Sequence, residues 1–81
     1  MKRITSAVLC ANDSSPYNDM WVNVFGSDGQ ARKGGRMYVY YSCVVIRREN
    51  GSTLTLSPTT DEMWETWDDE FNRTTFALFV G

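Results

Sequence analysis

No histidine occurs among the 81 residues of this chain, and that absence removes the usual general base at neutral pH. Ser-His-Asp and Cys-His nucleophile arrangements are ruled out with it. Cys10 and Cys43 stand alone in apolar, strand-like runs and form no Cys-x-x-Cys pair. Two thiols do not fill a tetrahedral zinc shell. Both therefore read as reduced core residues of a cytoplasmic protein, since free cysteine behaves as a small hydrophobe and small secreted domains usually carry four or more. The glycines Gly26, Gly29, Gly34 and Gly35 lead into a β run, whereas a phosphate-binding loop needs a helix N-terminus after its glycines. The carboxylate pairs Asp61-Glu62 and Asp68-Asp69 fall on the exposed side of an expected helix, where they stay ionised. No catalytic residue, metal site or cofactor is expected, and the protein reads as a non-enzymatic binder.

Charge and aromatic rings supply two candidate binding surfaces. Residues 1–59 hold seven basic and four acidic side chains, whereas residues 60–81 hold one basic and six acidic. In the first part, Arg32, Lys33 and Arg36 precede Tyr38 and Tyr40, with Lys2, Arg3, Arg47 and Arg48 able to line the same side of a sheet. Cations interleaved with rings hold single-stranded nucleic acid, phosphates by charge and bases by stacking. In the second part, Asp61, Glu62, Glu65, Asp68 and Asp69 would form an acidic helix face complementary to a basic partner. The net charge of −2 counts against nucleic acid, because nucleic-acid modules usually show a basic excess.

The elements that would position these groups follow from hydrophobic period and turn chemistry. Residues 3–11 read as a central strand, because both of its faces are fairly apolar. Asn12 to Pro16 form a turn cluster. Residues 20–25 alternate as a second strand. The glycine-rich stretch 26–35 reads as a flexible loop. Residues 36–48 read as one long strand rich in Tyr, Val and Ile, with a bend or bulge near Ser42. Asn50-Gly51 predicts a type I′ hairpin turn into a strand over 53–56. Thr59-x-x-Glu62 resembles a capping box, with Pro58 just before it. Met63, Trp64, Trp67 and Phe71 then fall within an arc of about 100°, so an amphipathic helix is expected over roughly 60–72. Residues 74–80 read as a final strand.

The expected fold is α+β: one domain over residues 1–81, with a single antiparallel twisted sheet (order β-β-β-β-α-β) and one amphipathic helix packed across one face. Tyr38, Tyr40, Val44, Ile46 and Phe79 are too many for a sheet covered on one side only. Either the sheet curls towards a barrel or a partner covers it. No apolar run reaches the ~20 residues of a membrane-spanning helix.

The leading functional expectation is a standalone acidic inhibitor, with a basic host protein or nucleoprotein complex as partner. By class-level analogy this is a phage or mobile-element product that blocks a host nucleic-acid-processing or defence complex, as anti-CRISPR proteins do. The alternative is a small nucleic-acid-binding β domain using the basic loop and the tyrosine strand. Self-association into a homodimer is left open.

Overall fold

The computed structural model of the protein describes residues 2–11, 15–41, 43–57 and 61–80. Buried residues recur with a period of two: Val22 and Val24, Met37 and Val39, Val44 and Ile46, Phe76 and Leu78. That spacing is one face of a strand. It gives the strands β1 (Lys2–Ile4), β2 (Trp21–Gly26), β3 (Ala31–Val39), β4 (Val44–Arg47), β5 (Thr53–Leu56), β6 (Glu62–Asp68) and β7 (Arg73–Val80), with one short helix, α1 (Ser6–Cys10).

The seven strands form one sheet in the order β1-β6-β7-β2-β3-β4-β5. Neighbours run antiparallel except β2 and β7, which are parallel. The fold is mostly β, not α+β, and the sheet is mixed, not purely antiparallel. A flat sheet is only about 10 Å thick when allowance is made for its side chains. The molecule measures 29 × 28 × 26 Å, so the sheet is rolled. Its concave side encloses Ile4, Val22, Val24, Met37, Val39, Val44, Ile46, Leu56, Met63, Phe76 and Leu78. Helix α1 leaves the edge strand β1 and packs against β4 near the opposite edge, adding Leu9 and Cys10 to this core. Tyr17 closes the core from the loop before β2, its ring meeting Phe76 edge-on at 5.4 Å.

Five further expectations are corrected. Residues 60–72 contain no helix where they are described; β6 runs through them. Period two sends Met63 into the core at 1 % exposure, while Trp67 and Phe71 are 56 % and 60 % exposed. A helix would stack Asp61, Glu65 and Asp69 at i,i+4, where like charges repel. A strand sends Glu62 and Glu65 to opposite faces, each towards a cation of β1. Glu62 pairs with Arg3 at 3.2 Å, and Glu65 lies opposite Lys2. Trp and Thr also suit a pleated surface. The proposed cap, Pro58 and Thr59, lies outside the described residues.

Residues 6–10 are helix, not strand. Thr5 is the N-cap: the Val8 amide is shared between its carbonyl at 3.1 Å and its hydroxyl at 3.4 Å, which supports the first turn. Of the turn cluster after it, residues 12–14 lie outside the described set.

The third correction concerns the glycines. Only residues 27–30 form the turn after β2; residues 31–35 are strand. β3 carries an extra residue opposite the Val22–Val24 step of β2, a bulge that sharpens the bend of the sheet. A Cβ on Gly34 would run into the Val22 carbonyl, and one on Gly35 into the Arg47 carbonyl. These glycines are there for close approach at a bend.

Residues 36–48 form two strands. The chain reverses between Tyr40 and Cys43, whose backbones bond each other in both directions; Ser42, where a bend was expected, lies outside the described residues. The hairpin at Asn50-Gly51 is present, with a different turn. Gly51 alone has positive φ, +85°, and its amide donates to the Arg48 carbonyl. This is a type I turn closed by a glycine bulge, not type I′. Among the described residues, no helix is long and apolar enough to cross a membrane.

Candidate nucleic-acid interface

The convex face of the roll is lined by the residues that alternate with the core. On β2 these are Trp21, Asn23 and Phe25; on β3, Arg36 and Tyr38; on β4, Val45 and Arg47. Register places Trp21 opposite Arg36, Arg36 opposite Arg47, and Tyr38 opposite Val45. Two arginines are thus directly cross-strand, a placement that costs stability. The surroundings offset part of that cost. Arg36 reaches the Asp19 carboxylate at 3.4 Å and the Asp19 carbonyl at 3.3 Å. Arg47 lies over the Tyr38 ring, 4.8 Å from its centroid, a cation–π contact.

Asp19 is an organising residue here. Its backbone is left-handed, φ +65°, which a short polar side chain tolerates. Its amide donates to the Met37 carbonyl, and its carboxylate also accepts from the Tyr38 hydroxyl at 3.5 Å. Beside it, Asn18 accepts from the Val39 amide at 2.6 Å. The loop before β2 therefore docks on the end of β3 that β2 leaves unpaired.

Trp21 stands at the centre of the face. Its indole N–H donates to Asn23 Oδ1 at 2.9 Å, which fixes the ring. Gly34 lies under that ring; an added Cβ would sit 3.1 Å from it. Two shallow grooves of about 200 Å³ and 220 Å³ flank the indole. Arg36, Tyr38, Arg47 and Arg48 line the first, and Lys33, Gly34 and Asn50 the second; Glu49 borders both. Arg48 is held by its Nε–H on the Lys33 carbonyl at 3.3 Å. Four cations thus surround one indole, against the carboxylates of Asp19 and Glu49.

Of the expected nucleic-acid residues, Lys33, Arg36 and Tyr38 meet at this site. Arg32 does not: it turns back to Asp28, 3.1 Å away across the β2–β3 turn. That carboxyl is held below its ordinary value by the Gln30 amide first and by Arg32 second. Tyr40 lies beyond the end of β3, 47 % exposed. Trp21 was not singled out from sequence, and Arg47 and Arg48 belonged only to the wider basic set. The missed signal is the reversal between Tyr40 and Cys43, which folds Arg47 back onto Arg36.

The acidic set is dispersed. Asp61 accepts from the Ser57 amide at 2.6 Å. Glu62 is on the convex face with Arg3, and Glu65 is on the opposite face of β6. Asp68 accepts from the amides of Glu70 and Phe71 at 3.1 and 3.3 Å, and Asp69 is exposed in that turn. No common acidic face exists among them.

Both cysteines are free; Cys10 is buried and Cys43 half-buried. Burial, and secondarily the neighbouring Cys43, push the Cys10 thiol above its ordinary value, which keeps it protonated and poorly nucleophilic. Among the described residues, no group of three or more Cys, Asp or Glu is placed to hold a metal ion. No family model matches the chain, and neither a curated protein nor a solved structure matches it significantly.

Proposed function

We propose that this protein is a non-enzymatic, cytoplasmic binder of single-stranded nucleic acid, acting through the convex face around Trp21. The observation that supports it is the cross-strand pair Arg36–Arg47 beside two oriented rings. A stability argument disfavours two arginines at directly paired cross-strand positions; a phosphate bound beside both would reverse the sign. Arg36, Arg47, Arg48 and Lys33 would neutralise backbone phosphates, and Trp21 and Tyr38 would offer stacking planes. Trp21 is held by Asn23, Arg48 by the Lys33 carbonyl and Arg47 by the Tyr38 ring, so part of the ordering entropy is already spent before binding.

Within a host, occupying a strand in this way is how a small protein without catalytic groups would obstruct nucleic-acid-processing or defence machinery. No acidic helix face supports this reading, because, among the described residues, 61–72 contain strand and turn.

The test is fluorescence anisotropy with labelled oligo(dT) and oligo(rU) across a salt series. Affinity should fall steeply with salt, and each phosphate contact removed by Arg36→Glu or Arg47→Glu should lower the log–log slope by about 0.7. Trp21→Ala should weaken binding at every salt concentration by a loss of about 1–3 kcal/mol of stacking. Salt-insensitive binding, or full affinity in Arg36→Glu, would falsify the proposal.

A further inference from the structure

We propose that the tip of the β6–β7 hairpin is a protein-docking surface, and that its partner presents an apolar pocket bordered by Lys or Arg. Trp67 and Phe71 lie four residues apart in this tip, 56 % and 60 % exposed. Large rings at this exposure leave more than half of their surface in water, while buried aromatic anchors dominate interface energy. The tip is built to hold its shape. The Asp68 carboxylate gathers the amides of Glu70 and Phe71, and Asn72 closes the turn with a left-handed φ of +51°. Arg73 lies over the Phe71 ring, 4.9 Å from its centroid. Beside the tip, Trp67 walls a groove of about 480 Å³ with Lys2, Glu65, Thr66 and Thr74.

Charge selects the occupant. Asp69 and Glu70 are exposed, and among the described residues neither is ion-paired. Asp68, Asp69 and Glu70 outnumber Arg73, the cation over the Phe71 ring, and this negative excess disfavours nucleic-acid phosphates and anionic lipid headgroups. It also opposes a second copy docked tip to tip. A protein surface with cations around an apolar pocket satisfies both the rings and the carboxylates. This surface is separate from the convex face, so either can fail without the other.

The probe is a labelled short peptide of alternating Lys and Leu, read by anisotropy, with a Glu-Leu peptide and oligo(dT) as controls. The Lys-Leu peptide should bind, and Trp67→Ala with Phe71→Ala should weaken it about tenfold or more, as loss of anchor rings does. Because the ring variant could fold poorly, Asp69→Lys with Glu70→Lys provides a second, surface-only change. It should weaken binding and flatten the salt dependence, with circular dichroism unchanged. The proposal is overturned by unchanged affinity in both variants, by equal binding of the Glu-Leu peptide, or by sedimentation showing a dimer that the ring variant abolishes. Oligo(dT) affinity lowered by the ring variant with the fold intact would also overturn it, by placing nucleic acid on the tip.

Discussion

The convex face around Trp21 and the β6–β7 tip both present aromatic rings to solvent, yet their charge is opposite and their shape is held by different means. At the first, cations from two paired strands surround a ring fixed by a 2.9 Å hydrogen bond. At the second, carboxylates outnumber the one guanidinium, that of Arg73, beside two rings at the end of a hairpin. The rings themselves are chemically alike and carry no choice of partner. The charge around them supplies it, because an exposed ring stacks on a base or fills a protein pocket with similar ease. The framework decides how much ordering is left until binding. A sheet face holds its side chains in place beforehand, and a hairpin tip relies on local bonds such as those of Asp68.

The largest change expected removes both surfaces at once. Phe76 is fully buried between β2 and β6 and touches Tyr17. Phe76→Ala should cost about 3–5 kcal/mol, most of the stability of a small domain, as read by urea denaturation. Both binding activities should disappear with it; a tip that still binds peptide would show the hairpin to be independently folded.

A smaller effect should separate the two. Gly35→Ala drives a Cβ against the Arg47 carbonyl, at the foot of the Arg36–Arg47 pair. It should cost about 1–3 kcal/mol and reduce oligonucleotide affinity while the purified, folded variant keeps its peptide affinity. Equal loss at both surfaces would mean that the bulge organises the whole roll.

Arg47→Thr sharpens the contrast further. It relieves a like-charge cross-strand pair and loses a cation–π contact, each of roughly 0.5–1 kcal/mol. Melting temperature should barely move, while oligonucleotide affinity falls. A clear drop in melting temperature would instead make Arg47 a structural residue.

The smallest effect is one of pH. The folded state raises the Cys10 thiol above its ordinary value, so the folded chain holds that proton more tightly than the unfolded chain. Its contribution is complete below the unfolded value and erodes as pH rises from there through the folded value. Stability should decline on the alkaline side, and Cys10→Ala should remove that slope. A slope unchanged in the variant would assign it to other groups.

Much of the framework was legible. β2, β5 and β7 follow from period two and from turn residues at their ends, and Asn50-Gly51 marks the hairpin between β4 and β5. The segment now seen as β6 was not legible, because Met63, Trp64, Trp67 and Phe71 satisfy a helical spacing as well as a strand. Residues 6–10 were misread for a related reason: small apolar residues without a clear period fit either state, and the Thr5 cap is a weak signal. Of the candidate site, Lys33, Arg36 and Tyr38 could be named in advance. Trp21 and the importance of Arg47 could not, since neither is near Arg36 along the chain.

The sequence by itself determined which residues are apolar, where the chain can turn, and how the charges divide between residues 1–59 and 60–81. These are local properties, set by side-chain transfer from water and by backbone sterics. Only the tertiary structure decided that β6 is a strand between β1 and β7, that glycines serve a bend, and that Arg36 faces Arg47. Each of these depends on contacts between distant segments, where hydrogen bonds and burial supplied by a partner strand outweigh the small local preference for helix or loop.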